Sequence, residues 1–101
     1  MEKHIDISEE NVVVTLDGRM HDEDAELLGK ELFRYIDQGY NTFLIDMAGL
    51  QYIDSTGMGI LIAINKQAQQ TGGSITLSSL RGTVNELFEV TRLKKVFKIQ
   101  E

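Results

Sequence analysis

The order in which strand-like and helix-like patterns alternate limits the fold of this chain more than any other feature. Strand-like runs, apolar or rich in β-branched side chains, occur at residues 4–8, 11–16, 42–47, 74–78 and 96–99. Amphipathic helical spacing occurs from just after Asp22 to about Gly39, over residues 55–70, and around Val84, Leu87 and Phe88. A polar turn at residues 9–11 separates the first two strands. The predicted order is therefore ββαβαβαβ.

This order predicts an α/β fold with a mixed sheet. Strands that are separated by helices need crossover connections, which are right-handed in nearly all cases and make the strands parallel. The first two strands form an antiparallel hairpin at one side of the sheet, and the helices pack against it. Functional residues in such sheets collect beyond the carboxyl ends of the strands. We expect Asp46, and the segment that links it to Ser55, at that edge.

Length and composition indicate one globular domain over residues 1–101. The chain is 42% hydrophobic and 26% charged, which is ordinary for a folded domain, and it contains no cysteine, which excludes disulfides and thiolate chemistry. The first residues lack the pattern of a secretory signal. The longest apolar run, residues 60–64, is far shorter than the roughly 20 residues that cross a bilayer. We therefore expect a cytoplasmic protein with no direct membrane insertion.

Charge is unevenly distributed along the chain. The formal net charge of -6 and a pI near 4.8 argue against nucleic acid and anionic membranes as partners. Residues 1–54 carry thirteen acidic and four basic side chains, whereas residues 55–101 carry three and six. An acidic surface is expected around residues 22–26. The alternative interpretation is a solvated helix start, since acidic side chains favour a first helical turn.

The tetrapeptide Asp54-Ser55-Thr56-Gly57 stands between a strand pattern and a helix pattern. Asp54 is the expected N-cap, because an aspartate side chain accepts the free amide hydrogens of a helix start. Ser55 and Thr56 then lie in the first turn. Gly57 and Gly59 each destabilise a helix by roughly 1 kcal/mol relative to alanine, which suggests that they leave room for another protein. The alternative is a capped helix start whose small residues pack against the sheet.

Catalysis by this chain has little support in the sequence. A serine nucleophile needs a positioned base, but the histidines are His4, in the first strand, and His21, in a loop after the second. His21 is expected to be a solvated loop residue away from Ser55. The acidic residues show no metal-ligand spacing, and no glycine-rich phosphate loop occurs. We expect no catalytic residue, no bound metal and no enzymatic activity.

The motifs of this chain resemble those of the anti-sigma factor antagonists, a family built on the STAS domain. The resemblance extends from Val12 to Ile99, and it depends on residues 14–18 and 43–46, followed by 53–59 with the Asp-Ser-Thr-Gly turn. Residues 72–73, 80–84 and 93–99 also fit. The resemblance implies a STAS-like fold for the α/β domain predicted above.

The resemblance also implies a protein-binding switch. In that family the serine at the position of Ser55 is phosphorylated by an anti-sigma factor with serine kinase activity. The unphosphorylated antagonist binds this kinase and releases the sigma factor, and a serine phosphatase restores it. ATP and Mg²⁺ belong to the kinase, so no cofactor is expected here, and Thr56 is the second choice of acceptor. The expected partner-binding residues are Asp22, Asp46, Asp54, Ser55, Thr56, Gly57 and Met58.

One position departs from the family pattern. Many members carry an acidic residue in the loop after the second strand where this chain has His21, and Asp22 follows one place later. If that acid positions the kinase, Asp22 takes its place.

Two other functions are compatible with the sequence. The first is an unphosphorylated STAS scaffold or transporter-accessory subunit, for which co-purification with membranes and indifference to Ser55→Ala and Ser55→Asp would be evidence. The second is a nucleotide- or phosphate-binding module at the helix start, for which thermal stabilisation by the ligand alone would be evidence.

Overall fold

The computed structural model describes residues 1–100, which form a five-stranded sheet and three α-helices. The elements are β1 (Glu2–Ser8), β2 (Asn11–Met20), α1 (Asp22–Asp37), β3 (Thr42–Ile53), α2 (Ser55–Gln70), β4 (Ser74–Ser78), α3 (Gly82–Val90), a 3-10 turn (Leu93–Lys95) and β5 (Lys98–Gln100). The strands lie side by side in the order β1-β2-β3-β4-β5. The β1–β2 pair is antiparallel and the other pairs are parallel. This confirms the predicted element order and the mixed α/β sheet.

All three helices cover the same face of the sheet. Parallel strands that follow chain order through right-handed crossovers require this arrangement. Residues 12, 14 and 16 of β2 alternate with their exposed or half-buried neighbours, as do residues 43, 45 and 47 of β3, and these buried side chains form the core with residues of α1 and α2. Val13 and Leu44 face the other way and are only half-buried. The second face of the sheet is therefore without helices in residues 1–100.

The limits of four strands differ from the prediction. β1 begins at Glu2, β2 continues to Met20, and β3 continues to Ile53, six residues past the predicted end. β5 begins at Lys98 because the preceding residues turn as a 3-10 helix. Two shifts in the β2–β3 register, typical of β-bulges, explain the long β3. They place its buried residues at Met47, Leu50 and Ile53, three apart, so the period of two is lost.

One polar side chain lies in the core of the described residues. Asn65 of α2 is 2% exposed. Its Nδ2 donates to the carbonyl of Val96 at 3.1 Å, and its Oδ1 accepts from the amide of Ile75 at 2.9 Å. Asn65 therefore fastens α2 to the start of β4 and to the segment before β5.

A tight turn joins β1 to β2. Glu9 and Glu10 both have positive φ angles, 52° and 72°, and Ser8 pairs with Asn11 as the last residues of the ladder. Two positive φ angles in a two-residue loop are typical of a type I′ turn, which normally favours asparagine and glycine. The hairpin therefore contains two glutamates in an unfavourable backbone conformation.

Candidate functional site

The site is built where β2 and β3 end next to each other. Met20 pairs with Ile53 in the parallel ladder, so the residue after each strand occupies an equivalent position. These residues are His21, the N-cap of α1, and Asp54, the N-cap of α2. Two helix starts are thereby placed side by side. The topology brings His21 to the Asp-Ser-Thr-Gly turn, and the expectation that it would lie away from this turn is wrong, although its side chain is exposed.

Asp54 caps α2 as the sequence predicted. Its Oδ1 accepts a hydrogen bond from the amide of Gly57 at 3.1 Å. This hydrogen bond is the main cause that lowers the pKa of Asp54 below its usual 3.8, and His21 nearby lowers it further. The carboxylate is therefore ionised at neutral pH, one residue before Ser55.

The two hydroxyl residues of the turn are open to solvent to different degrees. Ser55 is the first residue of α2 and is exposed, whereas Thr56 is half-buried. Met58 is also half-buried and packs against the core. Ser55 is thus the more accessible hydroxyl group for a modifying enzyme.

Gly57 and Gly59 have different roles. Gly57 is buried, and a Cβ atom there would lie 2.7 Å from Cγ1 of Ile53 and 2.7 Å from Sδ of Met20. The expectation that Gly57 leaves room for a partner is wrong, because α2 itself needs this room to pack on the strand ends. Gly59 is exposed and has no atom within 4 Å of the position of its Cβ. Only Gly59 leaves surface space beside Ser55.

Acidic side chains surround the turn. Asp22, Glu23 and Asp24 form the first turn of α1, and with His21 and Asp54 they line a shallow depression of about 530 Å³. Asp24 Oδ2 accepts a hydrogen bond from the amide of His21 at 3.0 Å. This hydrogen bond is the main reason why the pKa of Asp24 is lowered. The predicted acidic surface is therefore present, and it extends to Asp54, the residue before Ser55. Its position on two helix starts also agrees with the alternative interpretation of favourable first-turn acids.

Sequence reasoning did not single out Arg19 and Tyr52. They pair across β2 and β3, one residue before Met20 and Ile53, and the Arg19 guanidinium lies 4.5 Å from the centre of the Tyr52 ring. The His21 ring is 5.3 Å from the same ring. Arg19 and Tyr52 lie on the sheet face without helices, because the residues that follow them, Met20 and Ile53, are buried on the opposite face. Arg19 and Tyr52 each lie one residue before the last residue of their strand. The sequence alone does not show that these two strand ends are neighbours, because that depends on the β2–β3 register.

Asp46 lies elsewhere, and its predicted position at the carboxyl edge is wrong. It is in the first half of β3, eight residues before Asp54, on the face without helices. It pairs with Thr15, five residues before Met20 on β2, so at about 3.3 Å per residue it lies roughly 17 Å from the end of the strand. Its Oδ1 accepts from the amide of Ala48 at 2.9 Å. The structure therefore groups Asp22, Asp54, Ser55 and Thr56, and it separates Asp46 from them.

Neither a metal site nor a membrane-spanning helix occurs within residues 1–100. No group of three metal-ligating side chains lies close enough together within residues 1–100 to hold a metal ion. Over the same residues, none of the helices has the length and apolar character needed to cross a bilayer.

The family model described as the STAS domain matches residues 2–101. The chain belongs to the STAS domain family. Among curated STAS relatives, BtrV of Bordetella bronchiseptica, a proposed anti-sigma factor antagonist, is 30% identical over 87% of this chain and 76% of its own length. The anti-sigma-B factor antagonist of Bacillus subtilis is 29% identical over 91% of this chain and 84% of its own.

Solved structures of STAS proteins share this fold. The Bacillus anti-sigma factor antagonist SpoIIAA is 20% identical and has been solved in two forms. The unphosphorylated form aligns with a TM-score of 0.88 over 99% of this chain and 89% of its own. The phosphorylated form aligns with a TM-score of 0.81 over 99% and 92%. At this identity the likeness concerns the fold alone, and it confirms the STAS-like architecture predicted from the sequence.

Proposed function

We propose that this protein is a cytoplasmic anti-sigma factor antagonist whose binding to an anti-sigma factor is controlled by phosphorylation of Ser55. The observation that carries the proposal is the exposed Ser55 at the start of α2, beside an ionised Asp54. The membership of the STAS family and the names of the relatives support it. The protein acts as a regulator and as the substrate of a kinase, and it has no catalytic role of its own.

The surface around Ser55 determines which partner can bind the unphosphorylated protein. Asp22, Glu23, Asp24 and Asp54 give this surface a negative charge. A complementary partner presents arginine or lysine side chains, which accelerate association and fix the orientation of the complex. The space above Gly59 allows the partner to approach α2 closely beside Ser55.

A phosphate on Ser55 changes the interface and leaves the fold intact. It adds a charge of about -1.5 to -2 next to Asp54, in a protein whose net charge is already -6. The amides at the start of α2 favour an anion by roughly 0.3–1 kcal/mol, so the domain itself tolerates the phosphate. In a closely packed interface the partner's basic side chains are already paired with the carboxylates of this surface, so the dianion would be desolvated without a partner of its own, which costs several kcal/mol. Because about 1.4 kcal/mol is tenfold in affinity, such a penalty separates the bound from the free state.

The remaining components belong to the partners. The anti-sigma factor supplies serine kinase activity together with ATP and Mg²⁺, and a serine phosphatase removes the phosphate. On this proposal the antagonist contributes the acceptor hydroxyl and the surface that the kinase recognises. Thr56 is a poorer acceptor than Ser55 because it is half-buried.

Mass spectrometry of the protein isolated from its own cells tests the proposal. The expected result is a species heavier by about 80 Da with the phosphate on Ser55, present in Thr56→Ala and absent from Ser55→Ala. Co-purification should then recover an anti-sigma factor with Ser55→Ala and lose it with Ser55→Asp. An unmodified Ser55 under all growth conditions, with a stable partner bound equally by both variants, would favour the unphosphorylated scaffold instead.

A further inference from the structure

β1 lies at the edge of the sheet, and its hairpin with β2 determines which of its residues direct their backbone groups away from the sheet. In a two-residue type I′ hairpin, the two residues that flank the loop exchange backbone hydrogen bonds with each other. Here these residues are Ser8 and Asn11. Hydrogen-bonded pairs alternate along an antiparallel ladder. The even residues of β1 therefore direct their amides and carbonyls towards β2. Lys3, Ile5 and Ile7 direct theirs away from the sheet.

The sequence of β1 is complementary to itself when it pairs antiparallel about Ile5. This register places Ile5 opposite Ile5 of the second copy and Lys3 opposite Ile7. These are the outward-directed residues, so the register uses all of the free backbone groups of residues 3, 5 and 7. His4 is then opposite Asp6 in a pair without backbone hydrogen bonds, where side chains approach most closely. Twofold symmetry repeats the His4–Asp6 pair on both sides of the axis.

Charged side chains on an edge strand usually prevent such pairing. Here the charges match, since the register brings no two like charges face to face. His4 and Asp6 already form a hydrogen bond within one strand, where His4 Nε2 lies 3.0 Å from Asp6 Oδ2. Both are largely exposed, with side-chain accessibilities of 75% and 72%, and are thus available to a second copy.

Exposed apolar side chains line the same edge. Ile7 is 43% exposed on β1, and Leu27 is 53% exposed on α1. Leu27 lies three residues after Asp24, which faces the Met1 amine at 3.7 Å, and four before Glu31, which binds Lys3 Nζ at 3.1 Å. These two contacts show that the side of α1 that carries Leu27 faces β1. A second copy across the edge would cover both apolar residues.

We propose that two copies of this chain associate through their β1 strands, antiparallel about Ile5, to form a continuous ten-stranded sheet. The α1 helices of the two copies lie on the same face of that sheet, on either side of the twofold axis. Ser55 lies at the carboxyl ends of β2 and β3, away from the axis, so each copy keeps its own site accessible. The proposal is independent of the function assigned to Ser55.

The test measures self-association by analytical ultracentrifugation over a wide range of protein concentration. The expected mass rises towards twice the 11.4 kDa of one chain. Ile7→Lys places lysine opposite Lys3 of the second copy and should weaken association roughly tenfold. Val90→Lys is the matched control, because Val90 is 77% exposed on α3, at the other end of the sequence, and the change should have no effect.

Charge exchange tests the register itself. His4→Asp places like charges opposite Asp6, and Asp6→Lys places lysine opposite His4, so each variant alone should remain monomeric. An equimolar mixture pairs the new aspartate with the new lysine at one position and restores the His4–Asp6 contact at the other, so it should form the heterodimer. Circular dichroism checks that each variant remains folded. A wild-type chain that stays monomeric to about 1 mM, a mixture that behaves like its components, or a dimer lost in Val90→Lys would each overturn the proposal.

Discussion

Replacing Gly57 and Gly59 separately by alanine tests how α2 is seated on the strand ends. Both glycines are in the first half of the helix, and alanine is favoured over glycine in helices by roughly 1 kcal/mol. At Gly59 the new methyl group meets no atom within 4 Å. Gly59→Ala should therefore raise the free energy of unfolding by about 0.5–1 kcal/mol. For a domain of this size, that is an increase of roughly 2–8 °C in Tm.

Gly57→Ala should have the opposite sign. The methyl group would lie 2.7 Å from both Ile53 Cγ1 and Met20 Sδ, which is much closer than nonbonded atoms approach. Met20 can adjust its flexible side chain, but Ile53 is β-branched and ends β3, so it cannot move away easily. Overpacking of this kind costs about 1–3 kcal/mol. After the helical gain, we expect a net loss of up to about 2 kcal/mol.

Urea and thermal unfolding followed by circular dichroism give both numbers under the same conditions. The cause is checked with Ile53→Ala, which removes one of the two clashing atoms and leaves Met20 Sδ, in a flexible side chain, as the other. Gly57→Ala should be less harmful in that background, with a coupling free energy of about 1 kcal/mol. Equal stabilisation by Gly57→Ala and Gly59→Ala would refute the packing argument and restore the interpretation that both glycines serve a partner.

Three further changes probe the core, the cap and the hairpin. Asn65→Leu leaves the buried amide of Ile75 without an acceptor and should lower the free energy of unfolding, measured in urea, by roughly 2–4 kcal/mol. Asp54→Asn keeps an N-cap acceptor but removes the charge. Because the folded-state pKa of Asp54 is lowered, its charge stabilises the fold above pH 3.8, and this contribution disappears as pH falls through the lowered pKa. The free energies of unfolding of the two proteins, measured in urea, should therefore converge towards pH 2. Combining Glu9→Asn with Glu10→Gly should raise Tm, corresponding to about 1–2 kcal/mol, and an unchanged Tm would contradict the type I′ assignment.

The parts of the fold that sequence reasoning predicted well are those with local signals. The limits of α2 agree with the prediction at both ends, because Asp54 provides an N-cap acceptor and Gly72 with Gly73 ends the helix. The order of strands and helices was also recoverable, since each element carries its own apolar period. No knowledge of distant contacts was needed for these features.

Features that depend on strand pairing were not predictable in this way. The second half of β3 was not recognised because bulges place its buried residues three apart, at Met47, Leu50 and Ile53. The wrong position of Asp46 follows directly, since a strand that seemed to end at Met47 continues to Ile53. The approach of His21 to Asp54 likewise depends on the β2–β3 register, which no local pattern encodes.

The connection between β3 and α2 limits how a phosphate on Ser55 could act. A single residue, Asp54, separates the strand from the helix, and its side chain is bound to the amide of Gly57. Gly57 in turn is packed against Met20 and Ile53, so the backbone on both sides of Ser55 is held in place. A switch by local refolding would have to break the cap and this packing together, although the helix start already favours an anion. The switch that we propose therefore works by changing the charge of a fixed surface, which predicts nearly identical folds before and after modification and a difference confined to partner binding.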